Sequence, residues 1–122
     1  MYKIMVVDDD PDILEVLYFN LKARGFDVAT VSSGQEALQA VQLEQPDLLL
    51  LDVIMPDLDG WEVLKIIKDH YDVSEMKVIM LTAKNTERDK LIGTSILKAD
   101  GYVTKPFDIN ELLDIIREVL RE

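Results

Sequence analysis

The feature that most constrains the fold is the alternation of short apolar segments with longer amphipathic ones. Three of the apolar segments, centred on 4–7, 48–51 and 78–81, are continuously aliphatic, as parallel strands covered on both faces must be. The segments between them carry the apolar spacing of helices. The sequence therefore predicts a (βα)5 arrangement, an α/β chain with strands over 3–7, 27–31, 47–51, 77–81 and 101–103.

Capping signals delimit most of the predicted helices. Asp10 is expected to cap the first helix, with Pro11 at its first position and Gly25 beyond its end. Two capping-box patterns predict where the second and fifth helices begin, and they are formed by Ser33 with Glu36 and by Asp108 with Glu111.

The third and fourth helices have weaker signals. The third is predicted over 60–69, with Trp61 near its start as a partly exposed aromatic. The fourth is predicted over 86–98, but Gly, Thr and Ser at 93–95 interrupt its apolar stripe. We therefore expect this segment to be short or mobile.

Length and charge exclude several classes of protein. A chain of 122 residues with 48% hydrophobic and 30% charged residues has the size and balance of one folded domain, expected over 1–122. Its formal charge of −11 disfavours direct binding to nucleic acid or to anionic membranes. No apolar run approaches the ~20 residues of a membrane helix, and no export signal is visible, so we expect a cytoplasmic protein. The absence of cysteine excludes thiol chemistry.

Polar side chains follow four of the predicted strands. Asp8 and Asp9 follow the first strand, Asp52 the third, Thr82 the fourth and Lys105 the fifth. Ligands of open α/β sheets bind at the carboxyl ends of the strands, so these side chains are expected at one edge. Clustered carboxylates cost free energy unless a cation compensates them, and Mg²⁺ prefers such oxygen ligands. Each residue alone is more often a cap or a turn residue, but the combination predicts a Mg²⁺-dependent phosphoryl site.

Four segments carry a resemblance to a known family: IMVVDDDP, PDLLLLDVIMPDLDGWEVL, VIMLTA and ADGYVTKPF, in this order. With them the chain resembles the receiver domains of two-component response regulators. The resemblance implies a doubly wound, flavodoxin-like fold with strand order 2-1-3-4-5 and helices on both faces. It implies a phosphorylation-activated switch, which is not an enzyme beyond catalysing its own phosphorylation and dephosphorylation.

The same resemblance implies roles for the residues at the strand ends. Asp52 would be the phosphoacceptor, and Asp9, Asp52 and the backbone carbonyl of Ile54 would ligate Mg²⁺. Asp8 would assist the metal through water, and Lys105 would contact the phosphoryl group. The phosphoryl donor would be a sensor histidine kinase or a histidine phosphotransfer protein.

Signal output is also implied by the resemblance. The hydroxyl of Thr82 would turn toward the phosphoryl group, and Tyr102 would move from an exposed to a buried position. A downstream output protein or domain would then bind the face formed by the fourth helix, the fifth strand and the fifth helix. The family pattern further implies a cis peptide bond before Pro106.

Two alternatives come from other classes of protein. A haloacid-dehalogenase-type phosphohydrolase would use Asp8 as its nucleophile, with Thr82 and Lys105 as partners, but the chain is short and has no cap insertion to enclose a substrate. A flavodoxin-like binding module would cradle a flavin phosphate after the first strand, where Asp8, Asp9 and Asp10 would repel it.

Overall fold

The computed structural model describes residues 1–82 and 99–121, which form a parallel sheet with helices on both of its faces. The order of the strands is β2-β1-β3-β4-β5, so the predicted topology is confirmed. The five strands are β1 (Lys3–Val7), β2 (Asp27–Val31), β3 (Leu48–Asp52), β4 (Lys77–Thr82) and β5 (Gly101–Thr104).

Four helices lie in the described part of the chain: α1 (Pro11–Ala23), α2 (Gly34–Leu43), α3 (Gly60–His70) and the C-terminal helix (Ile109–Arg121). The helix predicted over 86–98 lies outside the described residues. None of the described helices has the length and apolar character needed to cross a membrane.

Alternate residues of each strand enter two separate cores. In β3, Leu48 and Leu50 pack with α1 and the C-terminal helix, whereas Leu49 and Leu51 pack with α2 and α3. All four leucines are fully buried, which explains the unbroken aliphatic run in the sequence. The two cores together hold the strands firmly enough for their carboxyl ends to form a fixed edge.

The helix starts follow the predicted caps, but neither of the two predicted capping boxes is complete. Asp10 accepts a hydrogen bond from the Asp12 N–H at 2.9 Å, and Ser33 accepts one from the Glu36 N–H at 3.2 Å. The predicted capping box of α2 is only half formed, because the Glu36 carboxylate accepts hydrogen bonds from the N–H and hydroxyl of Ser32 instead of the Ser33 N–H. Ser32, the residue before the cap, thus donates to Glu36 in place of the Ser33 N–H.

Two further caps lie at α3 and the C-terminal helix. Asp108 caps the C-terminal helix as predicted, but it accepts a hydrogen bond from the Asn110 N–H at 2.7 Å and not from Glu111, its predicted partner in a capping box. At α3 a full capping box joins Asp59 and Glu62, and it was not predicted from the sequence.

Several boundaries and one burial state differ from the predictions. The third, fourth and fifth strands each end one residue later than predicted, at Asp52, Thr82 and Thr104, so Asp52 and Thr82 are themselves strand residues. Trp61, expected to be partly exposed, is buried with 9% of its surface accessible. It packs into the core under α2 and α3, and its ring lies 6.2 Å from that of Tyr102.

Candidate functional site

Three polar side chains are buried at the carboxyl edge of the sheet. Asp8 directly follows β1, Asp52 ends β3 and Thr82 ends β4, and all three are at most 3% exposed. Asp9, the next residue after Asp8, is exposed. Burial of a carboxylate costs free energy unless other groups compensate its charge. The groups around Asp8 and Asp52 therefore decide which ligands this edge of the sheet can bind.

The carboxylates lie close enough to share one cation. Asp8, Asp9 and Asp52 each present an oxygen within 4.8 Å of the other two. The Lys105 ammonium lies 2.7 Å from Asp8 and 3.1 Å from Asp52. The second oxygen of Asp8 accepts a hydrogen bond from the Asp10 N–H at 2.9 Å. The structure therefore brings together the acids and the lysine that the sequence placed at one edge.

The charge on Asp52 is poorly compensated in this arrangement. Burial is the main cause that raises its pKa to about 6, and the charge of Asp8 raises it further. The hydrogen bond and charge of Lys105, and the backbone of Ile54, oppose the rise without cancelling it. At neutral pH the ionised carboxylate of Asp52 therefore lowers the stability of the folded protein.

Lys105 responds in the opposite way to the same contacts. Burial alone would lower the pKa of its ammonium, but the hydrogen bonds and charges of Asp8 and Asp52 outweigh burial and raise it. The ammonium is stabilised by two carboxylates, whereas the carboxylates must share one ammonium. Among residues 1–82 and 99–121, three carboxylates thus face one cation. This donor set fits a hard divalent cation that prefers carboxylate oxygens.

The loop after Asp52 is closed tightly at its base. The Gly60 N–H donates to the Val53 carbonyl at 2.7 Å. A Cβ atom on Gly60 would lie 2.3 Å from the Asp52 carbonyl oxygen, so no larger residue fits there without movement of the backbone. Ile54 lies just after the site with its side chain 66% exposed. The start of α3 is thereby fixed against the backbone of the acceptor strand.

The two residues predicted to act in switching lie on neighbouring strands. Thr82 and Thr104 are register partners in β4 and β5, and the Lys105 N–H donates to the Thr82 carbonyl at 2.7 Å. Tyr102, in β5, is half-buried beside Trp61, away from the carboxylates. The peptide bond between Lys105 and Pro106 is cis, as the family pattern implied.

Two features of the site were not found from the sequence. Lys105 was expected to contact the phosphoryl group, and its ion pair with Asp8, at 2.7 Å the shorter of its two carboxylate contacts, was not predicted. A largely apolar depression also borders Lys105, and it is lined by Asp12, Ile13, Val16, Lys105, Pro106 and Phe107. The sequence signal that could have predicted this depression is that α1 has more apolar residues than its core face needs; Val16, for example, is exposed.

Comparison with known proteins identifies the family. The sequence model of the response regulator receiver domain matches residues 4–117. The chain therefore belongs to the response regulator receiver domain family, whose members are signalling switches of two-component systems and not classical enzymes. A phosphohydrolase that uses Asp8 as its nucleophile is not supported.

Solved structures of receiver domains superpose closely on this chain. It is similar to the chemotaxis protein CheY4 of Vibrio cholerae, with 30% identity, a TM-score of 0.91 and 98% of each chain covered. A CheY-like receiver domain protein from Methanospirillum hungatei has 31% identity and a TM-score of 0.90, with 99% of this chain and 94% of that chain covered. The BeF3-activated receiver domain of DrrB has 36% identity and a TM-score of 0.86, with 100% and 99% covered.

The electrostatics of Asp52 predict that its replacement by asparagine stabilises the metal-free protein. A rise of one pKa unit corresponds to about 1.4 kcal/mol, so Asp52→Asn should raise the free energy of unfolding at pH 7 to 8 by roughly 2–3 kcal/mol. Because the folded-state pKa of Asp52, about 6, lies above its ordinary value, the contribution of Asp52 to wild-type stability falls as the pH rises from about 4 to about 6. The gain should therefore vanish near pH 4. Urea unfolding in EDTA at several pH values measures it.

Asp69→Asn is the matched control because it removes the same charge from an exposed residue. Asp69 pairs with Lys65 on α3, which lowers its pKa, so this change should not stabilise the protein at any pH. An equal gain from both variants would mean that the relief of overall negative charge, and not the burial of Asp52, is responsible.

Proposed function

We propose that Asp52 accepts a phosphoryl group from a sensor histidine kinase or a histidine phosphotransfer protein, in a reaction that depends on Mg²⁺. The observation that carries the proposal is the buried carboxylate of Asp52, with two further carboxylates within 4.8 Å and the Lys105 ammonium at 3.1 Å. Membership of the receiver family supports it. Within this proposal the protein catalyses only its own phosphorylation and dephosphorylation.

Asp9, Asp52 and the backbone carbonyl of Ile54 would hold Mg²⁺. Asp8 already accepts hydrogen bonds from Lys105 and the Asp10 N–H, which suits it to act through a water molecule. Bound Mg²⁺ would supply positive charge that compensates the carboxylates and the phosphoryl oxygens. Its arrival would also favour the ionised, nucleophilic form of Asp52 at neutral pH.

In the transfer step a carboxylate oxygen of Asp52 attacks the phosphorus of the phosphohistidine. A P–O bond forms and the P–N bond breaks, and its electron pair returns to the imidazole nitrogen of the donor. The product on Asp52 is an acyl phosphate. Lys105 can exchange its hydrogen bond with Asp52 for one with the phosphoryl oxygens while it keeps its contact with Asp8, so the ammonium need not move far.

Output is proposed to begin at Thr82 and Tyr102. A new hydrogen bond from the Thr82 hydroxyl to the phosphoryl group would draw the end of β4 toward Asp52, and Tyr102 would turn further inward. Receiver domains generally interact with histidine kinases and with output partners. The proposed output face comprises β5, the C-terminal helix and the predicted fourth helix, which lies outside the described residues.

The proposal includes the setting in which the protein acts. Residues 1–122 would form one domain that does not itself bind nucleic acid or membranes, because a formal charge of −11 repels anionic phosphate groups. Cytoplasmic localisation is part of the same proposal. A sequence without cysteine is compatible with that compartment.

The apolar depression beside Lys105 is the proposed docking surface for the phosphohistidine donor. Val16 is 49% exposed on α1, and with Ile13, Pro106 and Phe107 it forms the apolar lining of this depression. Because Lys105 lines the depression and its ammonium lies 3.1 Å from Asp52, a protein that fills the depression would contact a residue of the carboxylate cluster. Exposed apolar surface of this kind is typical of protein interfaces.

The phosphoryl acceptor can be identified with a small donor. Incubation with acetyl phosphate and Mg²⁺ should phosphorylate the wild-type protein on Asp52, and Asp52→Asn should abolish the modification because it removes the nucleophilic carboxylate beside Lys105. Mass spectrometry after borohydride reduction of the acyl phosphate identifies the modified residue. A phosphoryl group on Asp8 that survives Asp52→Asn would contradict the assignment.

Docking can be separated from chemistry by comparing two donors. Val16→Glu should slow transfer from a phosphorylated histidine kinase domain by at least about tenfold, since it places a charge in the apolar contact. Transfer from acetyl phosphate should not change, because this donor needs no docking surface. Rates of phosphorylation by both donors are measured.

Leu43→Glu is the matched control for Val16→Glu. Leu43 is 87% exposed at the end of α2, so the same substitution there should leave both rates unchanged. If both variants slowed phosphoryl transfer from the kinase domain equally, the cause would be general repulsion between the added negative charge and the donor. That result would contradict the proposed docking surface.

A further inference from the structure

The side chain of Asp57 joins the loop that follows Asp52 to α2. The carboxylate of Asp57 accepts hydrogen bonds from the backbone N–H groups of Gly34 at 3.2 Å and Gln35 at 3.0 Å. These N–H groups belong to the first turn of α2, where the helix itself offers no acceptor. Asp57 therefore completes the cap of α2 from a separate segment, while Ser33 serves the Glu36 N–H.

The same region is in close van der Waals contact. A Cβ atom on Gly34 would lie 2.9 Å from side-chain atoms of both Leu58 and Val63, so the start of α2 touches the loop and α3 directly. An anion is also favoured at the positive end of a helix, and the Gln35 N–H is the main cause that lowers the pKa of Asp57. The carboxylate thus has both a fixed place and a reason to stay ionised.

The other end of the loop is fixed by the acceptor strand. The hydrogen bond from the Gly60 N–H to the Val53 carbonyl closes the base, and Gly60 lies against the Asp52 carbonyl. Asp57 holds the tip of the loop, away from this base. Ile54, whose carbonyl is a proposed Mg²⁺ ligand, lies between these two attachments.

We propose that Asp57 is a positioning residue for the cation site. By holding residues 53–59 against the first turn of α2, it fixes the backbone at Ile54 relative to the carboxylates of Asp9 and Asp52. The affinity for the cation then depends on a hydrogen bond that is made outside the site. This inference rests on the proposed function in one respect, namely that the cation is Mg²⁺.

The test uses the full chain with Asp57→Ala and Asp57→Asn. Asp57→Ala should weaken Mg²⁺ binding about tenfold, the low end of the loss seen when a partner that orients a metal ligand is removed. Asp57→Asn keeps one acceptor oxygen and should give an intermediate affinity. Trp61, the single tryptophan, provides a fluorescence signal for the titration, and calorimetry provides a second one.

Amide hydrogen exchange in EDTA tests the attachment without a metal. In Asp57→Ala the N–H groups of Gly34, Gln35 and Gly60 should exchange faster than in the wild type, because the first two lose their acceptor and the third closes a loop that is no longer held at its tip. Unchanged protection of all three would overturn the proposal, as would wild-type Mg²⁺ affinity in Asp57→Ala.

Ser33→Ala is the matched control because it removes the other cap of α2 and leaves Asp57 in place. It should lower the stability of α2 without changing the affinity for Mg²⁺. Equal weakening of Mg²⁺ binding by Ser33→Ala would mean that α2 acts through its general stability, which also overturns the proposal. If the wild-type protein itself bound no Mg²⁺, the proposed function would fail. The exchange rates of the Gly34, Gln35 and Gly60 N–H groups would then still test whether Asp57 holds the loop against α2.

Discussion

The ammonium of Lys105, shared between Asp8 and Asp52, is the interaction on which the site depends. It gives a buried pair of carboxylates one positive charge, at 2.7 Å and 3.1 Å, and this is too little to neutralise them. The pKa of Asp52 rises to about 6 as a result of burial and the charge of Asp8. A site with this deficit is suited to receive a divalent cation, and the exposed carboxylate of Asp9 lies where it can complete the ligand set.

The fold tolerates this deficit because it is stabilised elsewhere. The two aliphatic cores on either side of the sheet fix the strand ends, and the β1–β3 pairing places Asp8 and Asp52 on adjacent strands. Gly60 allows α3 to begin against the backbone of Asp52. The charge imbalance is therefore held in a rigid frame, so that a change of charge at Asp52 is expected to act on the surrounding loops and not on the sheet. That is the property a phosphorylation switch needs.

Much of this organisation was predictable from local patterns. Aliphatic runs identified the strands, Asp10 and Ser33 identified helix starts, and the parallel topology placed the polar strand ends together. Individual side-chain contacts between distant segments were not predictable, because no local pattern encodes them. Lys105 could have paired with either carboxylate, and nothing in the sequence around Asp57 indicates that its acceptor oxygens meet the first turn of α2. The burial of Trp61 likewise depends on how α2, α3 and β5 pack.

The charge deficit at Asp52 can be measured directly by titrating its side-chain carboxyl carbon with ¹³C NMR, with and without Mg²⁺. We expect a pKa of about 6 in EDTA and a large fall at saturating Mg²⁺, to below the ordinary value of about 4. A pKa near 4 in EDTA that Mg²⁺ leaves unchanged would contradict the claim that this carboxylate is under-compensated and completed by a cation.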